Sequence, residues 1–283
     1  MGKDGLIQPR PAMGPVFPDH AAGCFRAMWI SDLHLGTGRC RARELLQFLD
    51  KYQPETLYLV GDIVDGWVQG PPWHWSREQG AVVQKIVQWH RSGVRIVFLP
   101  GNHDEISIDL AQALLGPLTV AAEIVHRTAQ GRRMLVLHGH QFDGSLNHNR
   151  LMYRLGTQAY HQALRVDRWY SEHPPDERPG GQPWASSYFK KRLEKAIRYV
   201  TDFGDHVVAQ TARRYRVDGV ICGHTHLPQH RMIGPISYVN DGDWVRSCTA
   251  LVEDYSGTLR LLYRDNNNGA WAELDRSGME GST

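Results

Sequence analysis

The sequence predicts an α/β fold in which two packed sheets are flanked by helices, giving four layers with a helical insertion. Three observations lead there. Short apolar runs recur along the chain, each followed at once by a polar turn. Two segments of the first half repeat apolar residues at helical spacing. From about Ile236 to Tyr263 the chain reads as short strands broken by Asp-Gly and Ser-Gly turns. At 283 residues with 41% hydrophobic content, it is long enough for one large core, and a single α/β domain reaches this size.

Residues 1–26 contain Gly2, Pro9, Pro11, Gly14, Pro15 and Pro18 and no apolar stretch long enough for a signal peptide or membrane span, so they read as a loose N-terminal extension. The main domain is expected over 27–265. Met28-Trp29-Ile30 makes the first buried strand, followed by a helix from Arg41 to Tyr52 with Leu45, Leu46 and Leu49 as its stripe. Leu57 to Val60 makes the second strand. A helix from Gln79 to Ser92 follows, with Val82, Val83, Ile86, Val87 and Trp89 on one face. Val94 to Leu99, Met134 to Leu137 and Val217 to Ile221 complete the buried strands. Asn266-Asn267-Asn268-Gly269 opens a C-terminal tail over 266–283.

An insertion at 144–216 interrupts this alternation. A helix is expected from Asn147 to about Tyr170, then a loop rich in Pro and Gly, then a second helix from near Ser186. In that second helix Phe189, Leu193, Ile197 and Val200 recur at helical spacing, while Lys190, Lys191, Lys195 and Arg198 lie largely elsewhere on its surface. The segment reads either as a helical pair with a solvated basic face or as a lid whose apolar side receives acyl chains while its basic residues meet phosphates or an anionic membrane.

The chemistry sits at the strand exits. They carry Ser31-Asp32-Leu33-His34, Gly61-Asp62, Gly101-Asn102-His103-Asp104, His138-Gly139-His140 and Gly223-His224-Thr225-His226. Singly, each has an ordinary explanation: turn residues, a neighbouring histidine, Asp104 as a helix N-cap. Jointly, carboxylate, amide and imidazole groups at five strand ends point to a phosphoesterase site holding two divalent ions. Such ions sit about 3.5–4 Å apart and need a bridging oxygen ligand, for which Asp62 is the natural choice. Imidazole mixed with oxygen ligands favours manganese, with iron or zinc compatible, over calcium or magnesium.

These ordered blocks resemble the calcineurin-like metallophosphoesterases from about Met28 to Leu262. The resemblance implies that Asp32, His34 and His226 bind one metal, Asn102, His138 and His224 the other, and Asp62 both. His103 matches the general acid or phosphate-contacting histidine, and Asp104 is placed to orient it or a ligand. Attack on phosphorus by a hydroxide held between the ions is the implied chemistry. Asp65 reads either as a partner of a ligand histidine or as a turn residue, and His140 either lines the pocket or lies on the surface.

Trp29 to Gly36, Tyr58 to Trp67, Cys222 to His226 and Asn240 to Val252 resemble a narrower branch, the UDP-2,3-diacylglucosamine diphosphatases of lipid A synthesis. The best-known members carry arginine where this chain has His103, and an acidic cluster where it has Gly66-Trp67-Val68, so the resemblance is to a second, divergent branch. It implies cleavage of the pyrophosphate of an amphiphilic nucleotide-glycolipid to UMP and 2,3-diacylglucosamine 1-phosphate. His140, Lys190, Lys191, Phe189 and Leu193 are then substrate contacts. It also implies a cytoplasmic protein, peripheral on the inner membrane. A soluble phosphodiesterase or phosphatase using the same metals is the alternative. A net charge of +2 and the lack of a basic run or aromatic-interleaved platform give no reason to expect nucleic acid. The cysteines, Cys24, Cys40, Cys222 and Cys248, lack regular spacing and read as reduced thiols.

Overall fold

Alternation along each strand decides the layering, because successive side chains of a strand point to opposite faces. In β1 (Cys24–Ile30) Met28 and Ile30 enter one core while Ala27 and Trp29 enter another; β2 (Gln53–Val60) and β3 (Arg95–Leu99) divide their residues in the same way. Strands buried on both faces need cover on both, so two layers must pack on each sheet. The computed structural model describes residues 23–65, 73–104, 111–113, 115–116, 118–144, 205–265 and 268–274.

One sheet has seven strands in the order β12-β11-β10-β1-β2-β3-β4, and the other has five in the order β5-β6-β7-β9-β8. The further strands are β4 (Thr119–Val120), β5 (Glu123–Arg127), β6 (Arg133–Leu137), β7 (Gly219–Cys222), β8 (Gln229–Ile233), β9 (Ile236–Asn240), β10 (Thr249–Glu253), β11 (Leu259–Arg264) and β12 (Trp271–Glu273). In the first sheet β1 to β4 run parallel, and β10 closes antiparallel on β1 with Ala27 opposite Glu253. In the second, β6, β7 and β9 are parallel, flanked by antiparallel β5 and β8. Both sheets are therefore mixed.

Between the sheets, Trp29, Tyr58, Val97 and Leu99 meet Met134, Val136, Ile221 and Val239. Helices α1 (Ala42–Lys51) and α2 (Arg77–Arg91) cover the outer face of the first sheet through Leu45, Phe48, Val82, Ile86 and Trp89. Helix α3, over residues 205–215, covers the second through Val208 and Ala212, which pack with Leu135, Val220 and Tyr238. The four layers are as expected.

Some boundaries differ from the sequence reading. Helix α2 starts two residues before Gln79 because the Ser76 hydroxyl accepts the Gln79 amide as an N-cap. Strand β1 already includes Cys24–Arg26, assigned by sequence to the N-terminal extension, and β12 lies in the expected tail. Residues 145–204, which hold most of the insertion with Phe189, Lys190, Lys191 and Leu193, and residues 66–68 lie outside the described residues. The four cysteines are free thiols.

Candidate metal centre

Parallel strands that all point the same way deliver their exit loops to one end of the sheets, which is where α/β proteins place their sites. At that end, the atoms of Asp32, His34 and His226 form one group of ligand donors, and those of Asp62, His138 and His224 form a second; within each group they lie within 4.8 Å of one another. These six are predicted ligands, divided between the ions as the resemblance implies. Asn102, the seventh, lies exposed beside His103, whose backbone N–H donates to Asp62 Oδ1 at 3.0 Å.

The backbone is bent to achieve this. Asp32, His34, Asp62, His224 and His226 all adopt left-handed conformations, with φ between 49° and 68°. Each such turn is strained for a residue with a Cβ, and strain of this kind persists where the surroundings enforce it. The kinks let His224 and His226, and likewise Asp32 and His34, point to one side although they are two residues apart in chains leaving strands. The loops also approach closely. A Cβ added at Gly61 would come within 2.2 Å of His138 Nδ1, and one at Gly101 would meet Asp62 Oδ1 at the same distance.

Donor chemistry fits divalent metal. Asp32 Oδ1 and His138 Nε2 are buried without a hydrogen bond among the described residues, an arrangement that costs free energy unless something else engages them. His226 Nε2 lies 3.2 Å from Asp32 Oδ1 and His138 Nε2 3.5 Å from Asp62 Oδ1. Burial pushes the His138 and His226 pKa values down, but the carboxylates of Asp62 beside one and of Asp243 and Asp32 beside the other prevail, lifting them to about 9 and about 10. Burial likewise works against the charged form of Asp62, and His138, His103 and His34 overcome it to hold its carboxyl well below the usual range. Metal ligands must be deprotonated, so metal uptake here is coupled to proton release.

A surrounding layer orients the ligands. His138 Nδ1 lies 2.8 Å from the Val60 carbonyl, which fixes Nδ1–H as the donor and turns Nε2 toward the site. Asp243 Oδ2 lies 3.5 Å from His226 Nδ1. The Ser31 hydroxyl lies 2.6 Å from Asp32 Oδ2 and 2.7 Å from Asp241 Oδ1. The Ser31 hydroxyl thus sits between two carboxylates, and burial raises the Asp241 pKa well above the ordinary carboxylate value. Asn240 ties the Gly223–His226 turn by donating to the Gly223 carbonyl at 2.6 Å.

Asp104, expected from the sequence to orient His103 or a ligand, sits under the loop of the expected ligand Asp62. It is fully buried, and its carboxylate accepts the backbone N–H groups of Asp62, Ile63, Val64 and Gly101 at 2.6 to 3.3 Å. It is a positioning residue that holds the Asp62 loop against the Gly101 loop. Orientation of His103 falls to Asp65: its Oδ1 lies 3.0 Å from both His103 Nδ1 and His34 Nδ1. The hydrogen bond from Asp65 raises the His103 pKa against the effect of burial. His140 packs at the edge of the second ligand group, its ring centroid 5.5 Å from that of His138.

Asp241 and Asp243 lie in the stretch Asn240 to Val252 that carries the narrower resemblance, but Asp241-Gly242-Asp243 by itself reads as turn chemistry and gives them no role. The usable signal was its place directly after the apolar strand Ile236–Asn240, a sixth strand exit like the other five.

Residues 25–228 match the profile of a family described as calcineurin-like phosphoesterase. The chain belongs to that family. As a calcineurin-like phosphoesterase it is a metal-dependent hydrolase of phosphoric esters. Similar curated proteins are the UDP-2,3-diacylglucosamine hydrolases of Xanthomonas campestris pv. campestris (strain B100), 27% identical over 244 residues covering 81% of this chain and 96% of that one, and of Histophilus somni (strain 129Pt), 25% identical over 245 residues covering 82% and 97%. Among solved structures, this phosphoesterase chain aligns with YfcE, a phosphoesterase from E. coli, at 17% identity and a TM-score of 0.45, covering 88% of this chain and 97% of that one. Wild-type Vps29 complexed with zinc from Entamoeba histolytica aligns at 13% identity and a TM-score of 0.46, covering 88% and 98%.

Proposed function

We propose that the protein hydrolyses UDP-2,3-diacylglucosamine at its pyrophosphate bond, releasing UMP and 2,3-diacylglucosamine 1-phosphate. The observation that carries this reading is the near full-length match to relatives named for that substrate, joined to six ligand side chains already gathered in two groups. Asp32, His34 and His226 would hold one ion, Asn102, His138 and His224 the other, with Asp62 shared. The mixed imidazole and oxygen donors would take a divalent transition metal, manganese in this proposal, with iron or zinc compatible. When bound, the ions would neutralise the phosphate oxygens and lower the pKa of the attacking water.

His103 is the group free to move a proton. Its side chain is 49% exposed and held by Asp65. With Nδ1–H donated to Asp65, the protonated ring presents Nε2–H to the phosphate, where it can protonate the leaving oxygen. His140 would line the pocket beside His138. Lys190 and Lys191 would meet phosphate, and Phe189 and Leu193 the acyl chains.

The substrate is amphiphilic, so the protein would work as a cytoplasmic protein on the inner membrane surface. Among the described residues no helix is long and apolar enough to cross a membrane. The test is UMP release from UDP-2,3-diacylglucosamine by the purified protein with added manganese, beside unacylated nucleotide diphosphates and bis-p-nitrophenyl phosphate. Turnover confined to the acylated substrate supports the reading. Hydrolysis of the soluble esters alone overturns the substrate assignment and leaves the metal centre standing.

A further inference from the structure

Two tryptophans stand in solvent at the start of α2. Trp73 and Trp75 are 56% and 39% exposed and stack on each other, their ring centroids 5.5 Å apart and planes within 6°. Large aromatic side chains normally bury such area. Nor are these on a loose end. The six-membered ring of Trp73 lies against Gly36, where an added Cβ would come within 2.6 Å of it, and the His74 amide donates to the Gly36 carbonyl at 2.8 Å. Buried Gln79 accepts the Gly36 N–H at 2.9 Å and donates to the Thr37 carbonyl at 2.8 Å. The pair is thus fixed to the loop that carries Asp32 and His34.

The start of α1 belongs to the same rim. The Arg41 amide donates to the Trp244 carbonyl, and the Trp244 amide to that of Asp32. Charge around the tryptophans is lopsided: Arg39, Arg41, Arg43 and Arg77 are exposed, against Glu44, which pairs with Arg41, and Glu78, which lies within the field of Arg43 and Arg77.

We propose that Trp73 and Trp75, with Arg39, Arg43 and Arg77 beside them, form a membrane-docking rim that seats the mouth of the metal centre on an anionic lipid surface. Trp73 gives ring area to both Gly36 and Trp75, and Trp75 turns its indole nitrogen toward Gly80 of α2, yet 56% and 39% of the two residues stay exposed, so apolar ring area remains in solvent. Indole joins an apolar ring to a polar tip and partitions to the headgroup level of a bilayer. The arginines supply attraction to acidic headgroups. A nucleobase platform would instead want an open ring face. The inference deepens the proposed function by naming the surface through which a lipid substrate is met.

Vesicle flotation without substrate tests it. The intact protein should bind vesicles of phosphatidylglycerol and phosphatidylethanolamine, bind phosphatidylcholine vesicles weakly, and lose binding as salt rises. The Trp73→Ala, Trp75→Ala double variant should bind about tenfold more weakly. Arg77→Glu should cost at least about fivefold, with a shallower salt dependence. Brominated lipid should quench the tryptophan fluorescence of the intact protein more than that of the double variant, and melting temperatures should confirm folding. Undiminished flotation of both folded variants overturns the proposal. So does weakened binding of UMP to the double variant with flotation intact, which would make the pair a base platform. Because flotation and nucleotide binding involve no turnover, failure of UDP-2,3-diacylglucosamine hydrolysis would not imitate either result.

Discussion

Two polar clusters are buried where the sheets meet, and they differ in whether their atoms are satisfied. In the first, Glu253 of β10 accepts from Arg26 of β1 at 2.7 and 2.8 Å, from His126 Nε2 of β5 at 2.7 Å and from the Ala129 amide at 2.7 Å. The Tyr58 hydroxyl of β2 then donates to His126 Nδ1 at 2.9 Å. None of these four side chains carries an orphaned buried atom, and none of the four residues has positive φ. In the second, at the strand exits, five expected ligand residues are left-handed, and Asp32 Oδ1 and His138 Nε2 lack a hydrogen bond among the described residues. Polar burial alone therefore marks a structural tie between sheets. Polar burial with strain and unmet atoms marks a site waiting for something to bind.

That contrast is broken most directly at Asp62. Asp62→Ala should remove turnover to background and metal content with it, measured by elemental analysis of the dialysed protein, while the fold survives. Retained metal with retained turnover would show that Asp62 is not the shared ligand. Next in size is His103→Gln, expected to lower kcat by about 10²–10⁴-fold with metal content unchanged. Metal loss in that variant would move His103 from proton donor to ligand.

Asp65→Asn should cost about 10–100-fold and also shift a pH profile. Asp65 holds the His103 pKa above its ordinary value, so His103 stays protonated to higher pH in the intact protein. Removing the carboxylate lowers that pKa, and the alkaline limb of kcat should move to lower pH. A uniform drop with the limb in place would limit Asp65 to holding His34.

How far the sequence went follows from the same physics. The five apolar runs became strands and six of the expected ligands came together, because the periodicities and the strand-end positions of Asp32, His34, Asp62, His138, His224 and His226 are local signals. Which of its two expected partners Asp104 orients, His103 or a ligand, is a tertiary fact. The value of Asp104 lies in four backbone amides, three of them about forty residues away in sequence, and nothing in Gly101-Asn102-His103-Asp104 announces them. Arg26, Tyr58, His126 and Glu253 were invisible for the same reason, since each is an unremarked polar residue in a strand until the two sheets pack.

The smallest effect on catalysis is expected in that cluster, and there the comparison is sharpened. Glu253→Gln leaves His126 and Arg26 without their carboxylate partner, and breaking such a buried arrangement costs roughly 3–5 kcal/mol. The loss should appear in denaturant unfolding, with kcat and metal content of the folded protein within about twofold of the original, because no ligand residue touches Glu253 and distant sites act independently. Its pH dependence has a definite sign. Burial works to raise the Glu253 pKa, but the hydrogen bond and charge of His126, the Ala129 amide and Arg26 prevail and lower it below 4.5. The stabilisation is therefore complete above that value and disappears as pH falls through the lower folded-state pKa. The stability gap between intact protein and variant should narrow in acid. A gap that persisted unchanged, or a variant that lost its metal, would mean that the two clusters are coupled through the sheets and that the division drawn between tie and site is false.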